Sequence, residues 1–443
     1  MKPDIILFHC HDLGRWLPCY GMRSVPAPGI ARFAASAVVF DDAHAAAPLC
    51  SPARAALFTG QSPYRNGVQG LAHDGWRYRA GVSTLPELLR PHGYHSALVG
   101  LQHENVDPTV IGFDECVGLG FLPRTEQVVD AGVQWLQGLA SSEERDPVFA
   151  TVGVWEVHRP WPAHDYDAAD PATVEVPGYL PDNVHTRNDI ASFYGSIAQM
   201  DAGFTRLLAA VDECLGAETM VIFTTDHGVP FPRAKSTLYD AGTGVSLIIR
   251  PPASWGSAPA HVPDLVSHQD IVPTILELAG ASPQELDGFE GVSLLSRLRG
   301  GATADRPVGL DRAEERILFT SKTYHDSFDP KRAARSCDYV YIKNYADGPL
   351  LELAADLEGS ETRRGMGEAH LDPRPPEELY DRRKDPDELV NVISDDAHAS
   401  ARERLRSELR RWLEVTGDPI ETEAVPRVPA RSRHVDDLPA LPS

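Results

Sequence analysis

Cys50 is followed by Ser51, Pro52, Ala53 and Arg54, and then by Phe58-Thr59-Gly60. Proline holds φ near the helical value and sits well in a first turn, so a helix is expected to begin close to this cysteine. Cys50 then stands at a helix N-terminus, where free N–H groups and the helix dipole favour an anion. Arg54, one turn further on, shares that face and adds a fixed positive charge. The competing reading of a lone cysteine is a buried free thiol. Asp12 ends one apolar run and Asp226-His227 end a later one. They are oxygen and nitrogen donors for a metal, or else a turn cap and a loop pair. His103 and His158 also follow apolar runs, and an imidazole near its neutral pKa is the natural proton carrier. Lys235 lies nine residues after Asp226, either as a charge aimed at an anion or as a solvated surface lysine.

The elements that would position these groups follow from periodicity. Asp4 to Cys10, Ala37 to Phe40, His95 to Gly100, Val148 to Trp155, Met220 to Thr225 and Val245 to Arg250 read as strands. Helices are expected over Pro26 to Ser36, Ser83 to Arg90, Thr125 to Leu139, Ile190 to Leu215 and Ser267 to Leu278, the last closed by Gly280. Alternating strands and helices predict a layered α/β domain with a mostly parallel sheet. The polar clusters all stand where strands end, which is where open α/β sheets bind ligands. After about Arg306 the pattern changes to short strands, Ile317 to Thr320 and Tyr339 to Tyr345, and a Glu/Arg-rich helix, Ala401 to Val415. The expected division is a catalytic domain over 1–305, a smaller antiparallel sheet with a packed helix over 306–424, and a proline-rich irregular tail over 425–443.

The chain has 443 residues, 42% hydrophobic and 24% charged, enough for a substantial core. Its formal charge of −23 argues against nucleic acid and anionic membranes as partners. An anionic substrate must then be drawn in by a local cation cluster, which suits a small molecule better than a long polyanion. The first residues carry no signal-like run, so a cytoplasmic location is expected, with the six cysteines as free thiols.

The run from Cys50 to Gly60 resembles the sulfatase signature, C-x-P-x-R followed by a hydrophobic-Thr-Gly turn. Within that family the chain is most similar to the sulfamidase branch. The similarity is carried by Asn66 to Leu71, Leu98-Val99-Gly100 with His103, Val157 to Pro160, Phe223 to Pro232 continuing through Lys235 to Tyr239, and Glu378 to Asp381 with Asn391.

The resemblance implies an alkaline-phosphatase-like fold and conversion of Cys50 to formylglycine by a formylglycine-generating enzyme, its hydrate acting as nucleophile. It implies a divalent metal held by Asp12, Asp226, His227 and the residue at Cys50, calcium by family. His11 stands where a first carboxylate is usual, and with His227 it leaves zinc or manganese open. Lys235 would hold the sulfuryl oxygens and Arg54 the nucleophile. Gln102, in place of a usual lysine, would donate one hydrogen bond. His158 and His103 are candidates for acid and base, in an order the sequence leaves open.

The expected substrate is a small sulfated sugar, cleaved at a glucosamine-type N-sulfate. The alternatives are an O-sulfatase, a phosphonate or phosphodiester hydrolase, and a non-catalytic binder of sulfated glycans. A homodimer is compatible with this reading. Trp76, Arg77, Arg79, Arg159, Tyr324 and His325 are candidates for a sugar pocket.

Overall fold

A computed structural model describes residues 2–120, 122–142, 145–300 and 316–421. The expected boundary at 305/306 and the tail over 425–443 lie outside the described residues.

Among the described residues, twelve strands form two sheets. The first eight are β1 (Ile5–Cys10), β2 (Val38–His44), β3 (His95–Gly100), β4 (Glu115–Val117), β5 (Val148–Gly153), β6 (Met220–Thr225), β7 (Leu247–Arg250) and β8 (Ala260–Ser267). They build one sheet in the order β4-β3-β5-β1-β6-β7-β2-β8. All its pairings are parallel except the two that β7 makes with β6 and β2. The second sheet is antiparallel, with β9 (Leu318–Tyr324), β10 (Phe328–Arg335), β11 (Tyr339–Asn344) and β12 (Glu377–Asp381) in the order β12-β11-β10-β9. The helices that matter here are α1 (Pro28–Ala34), α2 (Cys50–Thr59), α3 (Thr125–Ala140), α4 (Val184–Cys214), α5 (Ile271–Leu278), α6 (Ala355–Glu358) and α7 (Ala399–Thr416).

The central strand β1 is buried on both faces, and period two sorts its side chains between them. Ile6, Phe8 and Cys10 join the core under α1, α3 and α4, while Ile5 and Leu7 join the core under α2 and α5. Val340 and Ile342 of the second sheet, with Leu357 of α6, pack against Leu238 and Tyr239. Its far face is covered by Leu405, Leu409, Trp412 and Leu413 of α7. An ion pair crosses from the segment after β12 to β2, Arg382 to Asp42 at 2.6 Å, with Arg15 bound to Asp240 at 3.0 Å and Arg335 to Glu388 at 2.6 Å beside it. Among the described residues, no helix is long and apolar enough to cross a membrane.

The expected elements are present with shifted ends. β2 runs four residues past Phe40 to His44, and α4 starts at Val184 rather than Ile190. β4, β8, β10 and β12 have no counterpart in the sequence reading.

Two buried histidines give the fold a pH signature. His44 Nε2 faces Asp42 Oδ1 at 2.9 Å, and His268 Nε2 faces Thr224 Oγ1 at 3.0 Å. Burial, followed by the Arg335 charge, pushes His44 down to about 3 in spite of Asp42. Burial brings His268 to about 3 as well, against the pull of Asp226. A depressed histidine contributes stability that is complete above its unfolded pKa of about 6.5 and is lost as pH falls toward the folded value. Thermal denaturation is therefore expected to show a midpoint falling below about pH 6.5, with up to about 1.4 kcal/mol per pH unit from each histidine. His268→Gln should flatten that slope.

Candidate active site

β3, β5, β1 and β6 lie side by side, so the segments leaving their C-terminal ends meet at one edge. These segments carry His103, His158, His11-Asp12 and Asp226-His227. Asp12 has a left-handed φ of 50°, an unfavourable conformation for a residue with a Cβ. Its backbone is over-determined: Asp12 N donates to Asp226 Oδ1 at 2.8 Å, and Gly14 N donates to the His227 carbonyl at 3.0 Å. Glu156, just after β5, accepts from Thr125 N at 2.8 Å and Thr125 Oγ1 at 2.7 Å, which ties the His158 segment to the start of α3.

Cys50 opens α2, as the Pro52 signal implied, and the helix ends at Gly60, whose φ is 65°. The Cys50 side chain points into the cluster, with Sγ 3.4 Å from His227 Nε2. Burial would push this thiol up. Lys235 and His227 outweigh it, with His103 and His11 beside it, and hold it well below the ordinary thiol value. The site thus stabilises negative charge at the Cys50 position. Arg54 is fully buried one turn on. Its Nε and Nη2 lie 3.2 Å from Asp226 Oδ2, Nη2 donates to the Cys10 carbonyl at 3.0 Å, and Nη1 donates to His9 Nδ1 at 2.6 Å.

The donor set fits a divalent ion. His227 Nδ1 faces the Gly228 carbonyl at 3.0 Å; a carbonyl only accepts, so Nδ1 carries the hydrogen and the Nε2 lone pair is turned inward. There it meets Asp12 Oδ1 at 3.0 Å. Similarly, His11 Nδ1 lies 2.9 Å from Asp226 Oδ2. Neither His11 nitrogen nor Asp12 Oδ1 has a partner in hydrogen-bond geometry, although all are buried. Close, misaligned, buried donor atoms are what ligands converging on a cation produce. His11, Asp12, Cys50 and Asp226 each offer one such atom, all within 4.8 Å of one another. The field agrees: burial and Arg54 pull His11 down, yet Asp226 and Asp12 carry it up to about 9. His227 is likewise held well above its ordinary value against burial, by Asp226 and Asp12.

Lys235 is buried, with Nζ 2.8 Å from Asp12 Oδ2, 2.8 Å from Asp356 Oδ2 and 3.1 Å from His158 Nε2. Burial opposes its charge, but the two carboxylates hold it well above the usual lysine range. His158 Nδ1 hydrogen-bonds the Arg159 carbonyl, so Nε2 is the acceptor for Lys235, and the ring lies on Trp155 with centroids 4.2 Å apart. His103 sits on the other side, hydrogen-bonded to Cys50; burial lowers it to about 4, which keeps it neutral and able to take a proton. Its ring stacks on His73 at 5.6 Å.

Gln102 is turned away from this cluster. Its side chain binds its own loop, accepting from Glu104 N at 2.8 Å and Asn105 N at 3.0 Å and donating to the Asn105 carbonyl. Of the sugar-pocket candidates, Trp76 and Tyr324 pack on each other at 5.1 Å. Arg159 is committed to Asp189 at 2.8 and 2.7 Å. Asp356, His9 and His73 belong to the site and were missed. His9 is an ordinary inward strand position in sequence, His73 sits in the short run after Gly70-Leu71, and Asp356 lies in the other unit.

A family profile for sulfatases matches residues 12–281, more than half of the chain. The chain belongs to the sulfatase family, and it is a hydrolase of that kind. It is 26% identical to an ulvan-active sulfatase of Formosa agariphila, covering 94% of this chain and 76% of that one. It is 25% identical to N-sulphoglucosamine sulphohydrolase of Homo sapiens, covering 94% and 91%. A solved structure in complex with its substrate D-glucosamine-2-N,6-O-disulfate superposes with a TM-score of 0.72 at 17% identity, covering 96% and 100%. Phosphonate monoester hydrolase of Agrobacterium radiobacter superposes at 0.70 and 19%, covering 94% and 96%. At these identities the two structures establish the fold alone.

Proposed function

We propose that the protein is a formylglycine-dependent sulfohydrolase that removes the N-sulfate of a glucosamine-type sugar. The observation that carries the sulfohydrolase reading is the placement of Cys50. It opens a helix, sits 3.4 Å from His227, and lies in a field that lowers its thiol pKa. The likeness to the human sulphohydrolase supports N-sulfate. Matured, Cys50 would supply an aldehyde hydrate as nucleophile, and a divalent ion at His11, Asp12, Asp226 and His227 would acidify it and screen the sulfuryl oxygens.

The chain's own groups do the rest. Arg54 fixes Asp226 and adds positive charge behind the nucleophile. Lys235 neutralises charge on the sulfuryl oxygens. His103, neutral and against Cys50, is placed to take a proton there. His158 Nε2 accepts from Lys235 and is placed to relay that proton to the leaving nitrogen, Lys235 Nζ giving it up. A second reading, an O-sulfatase, draws on the likeness to N-acetylgalactosamine-6-sulfatases.

The deciding experiment uses protein made together with a formylglycine-generating enzyme and loaded with calcium or manganese. It is offered N-sulfoglucosamine, glucosamine 6-O-sulfate, an aryl sulfate and a phosphonate monoester. The expected result is free amine and sulfate in equal amounts, with kcat/KM for N-sulfoglucosamine at least about tenfold above the others. Release from the O-sulfate alone would replace the N-sulfate reading.

A further inference from the structure

Asp356, on α6, brings a further carboxylate to the site. Lys235 has three ammonium hydrogens, and Asp12, Asp356 and His158 face it at 2.8, 2.8 and 3.1 Å, one partner for each. An anion that uses Lys235 must therefore displace one of them. Asp12 is fully buried and its backbone is tied to Asp226. His158 is held by the Arg159 carbonyl and by Trp155. The Asp356 side chain is 20% exposed at the mouth, and no hydrogen bond besides that to Lys235 holds it among the described residues.

Its backbone, by contrast, is fixed. Asp326 Oδ2 accepts from Ala355 N at 2.7 Å, and His325 Nδ1 in turn binds that carboxylate at 2.6 Å. Ala354 and Leu357 on either side are buried with Leu238, Tyr239 and Val340. A displaced Asp356 carboxylate can turn about its side-chain bonds but cannot leave the mouth. It then lies beside an incoming anion with its cation taken, and a partly buried charge without a partner is destabilising. A donor on the substrate relieves this.

We infer that Asp356 gauges the substrate: it occupies Lys235 in the free enzyme, yields it to the sulfuryl group, and then accepts a hydrogen bond from an O–H or N–H next to the sulfated atom. The site therefore favours sulfated sugars with a free vicinal donor over sulfates that bring none. This rests on the sulfohydrolase reading for its substrate arm and on the Lys235 geometry alone for its anion arm.

The test compares wild type with Asp356→Asn, which keeps the shape, and Asp356→Ala, in converted and metal-loaded protein. Calorimetry with inorganic sulfate reads the anion arm without turnover. The expected result is sulfate binding about tenfold tighter in both variants, and a lower KM for an aryl sulfate lacking a vicinal donor. The sugar-to-aryl ratio of kcat/KM should fall about 10- to 100-fold. Sulfate binding that is unchanged or weakened would overturn the inference and leave Asp356 as a brace for Lys235. If wild type takes aryl sulfates and no sugar sulfate, the substrate reading fails, while the sulfate titration still decides whether Asp356 competes for Lys235.

Discussion

Cys50→Ala is expected to lower kcat on any sulfated substrate by about 10⁵-fold while leaving the protein folded. The size follows from what is removed. Lys235 and His227 act on this one position, and the charge they stabilise sits on the Cys50 side chain. Without it they have no nucleophile to activate, so the loss is that of a covalent step and not of a contact. The structural cost is small by comparison. Cys50 is 3% exposed and alanine fills most of its volume, so about 1 kcal/mol of stability is at stake. Two measurements together check this: turnover of wild type and variant on one aryl sulfate, and the mass of the wild-type peptide spanning Cys50, which should show aldehyde oxygen in place of sulfur. A variant that keeps more than about one part in a hundred of wild-type turnover would move the nucleophile elsewhere.

The parts of this site that were legible in sequence are those whose neighbours in the chain set their geometry. β1 opens on a continuous apolar run, Ile5 to Phe8, so both its burial and the emergence of His11-Asp12 after its end follow from local pattern. Pro52 marks the start of α2, and with it the placement of Cys50 and Arg54. The remainder depends on contacts between distant segments. β10 reads Phe328-Asp329-Pro330-Lys331-Arg332-Ala333-Ala334-Arg335, a charged and proline-containing run that no strand pattern selects. It is a strand because β9 and β11 pair with it and because Asp418 and Glu388 neutralise the buried Arg332 and Arg335, at 2.7 and 2.6 Å. Asp356 meets Lys235 from 121 residues away, with no spacing to betray it. Gln102 shows the opposite failure: its position in the chain suggested a site donor, but the turn it closes takes up its amide.

Arg54→Met is the second change with a large expected effect, and its consequences diverge in a way that isolates electrostatics from packing. The guanidinium is buried and serves three acceptors at once, Asp226, the Cys10 carbonyl and His9 Nδ1. Methionine fills much of the space and satisfies none of them. In metal-free protein the loss should be about 3–5 kcal/mol in urea unfolding, because Asp226 is left with a buried charge that Arg54 had offset. Arg54→Lys should recover only part of this, since a point charge cannot reproduce the planar fork that reaches all three. Saturating calcium should then narrow the gap, because an ion at Asp12 and Asp226 supplies positive charge where the arginine was. The same reasoning gives opposite signs for two ligands. Calcium binding should strengthen in Arg54→Met, as the ion no longer competes with a fixed cation. Sulfate binding should weaken, and turnover should fall about 10²- to 10³-fold. A pure packing defect would weaken both together, so titrations of the two ions against one variant separate the explanations. Tighter calcium with looser sulfate would mean that Arg54 balances the cluster between holding a cation and accepting an anion.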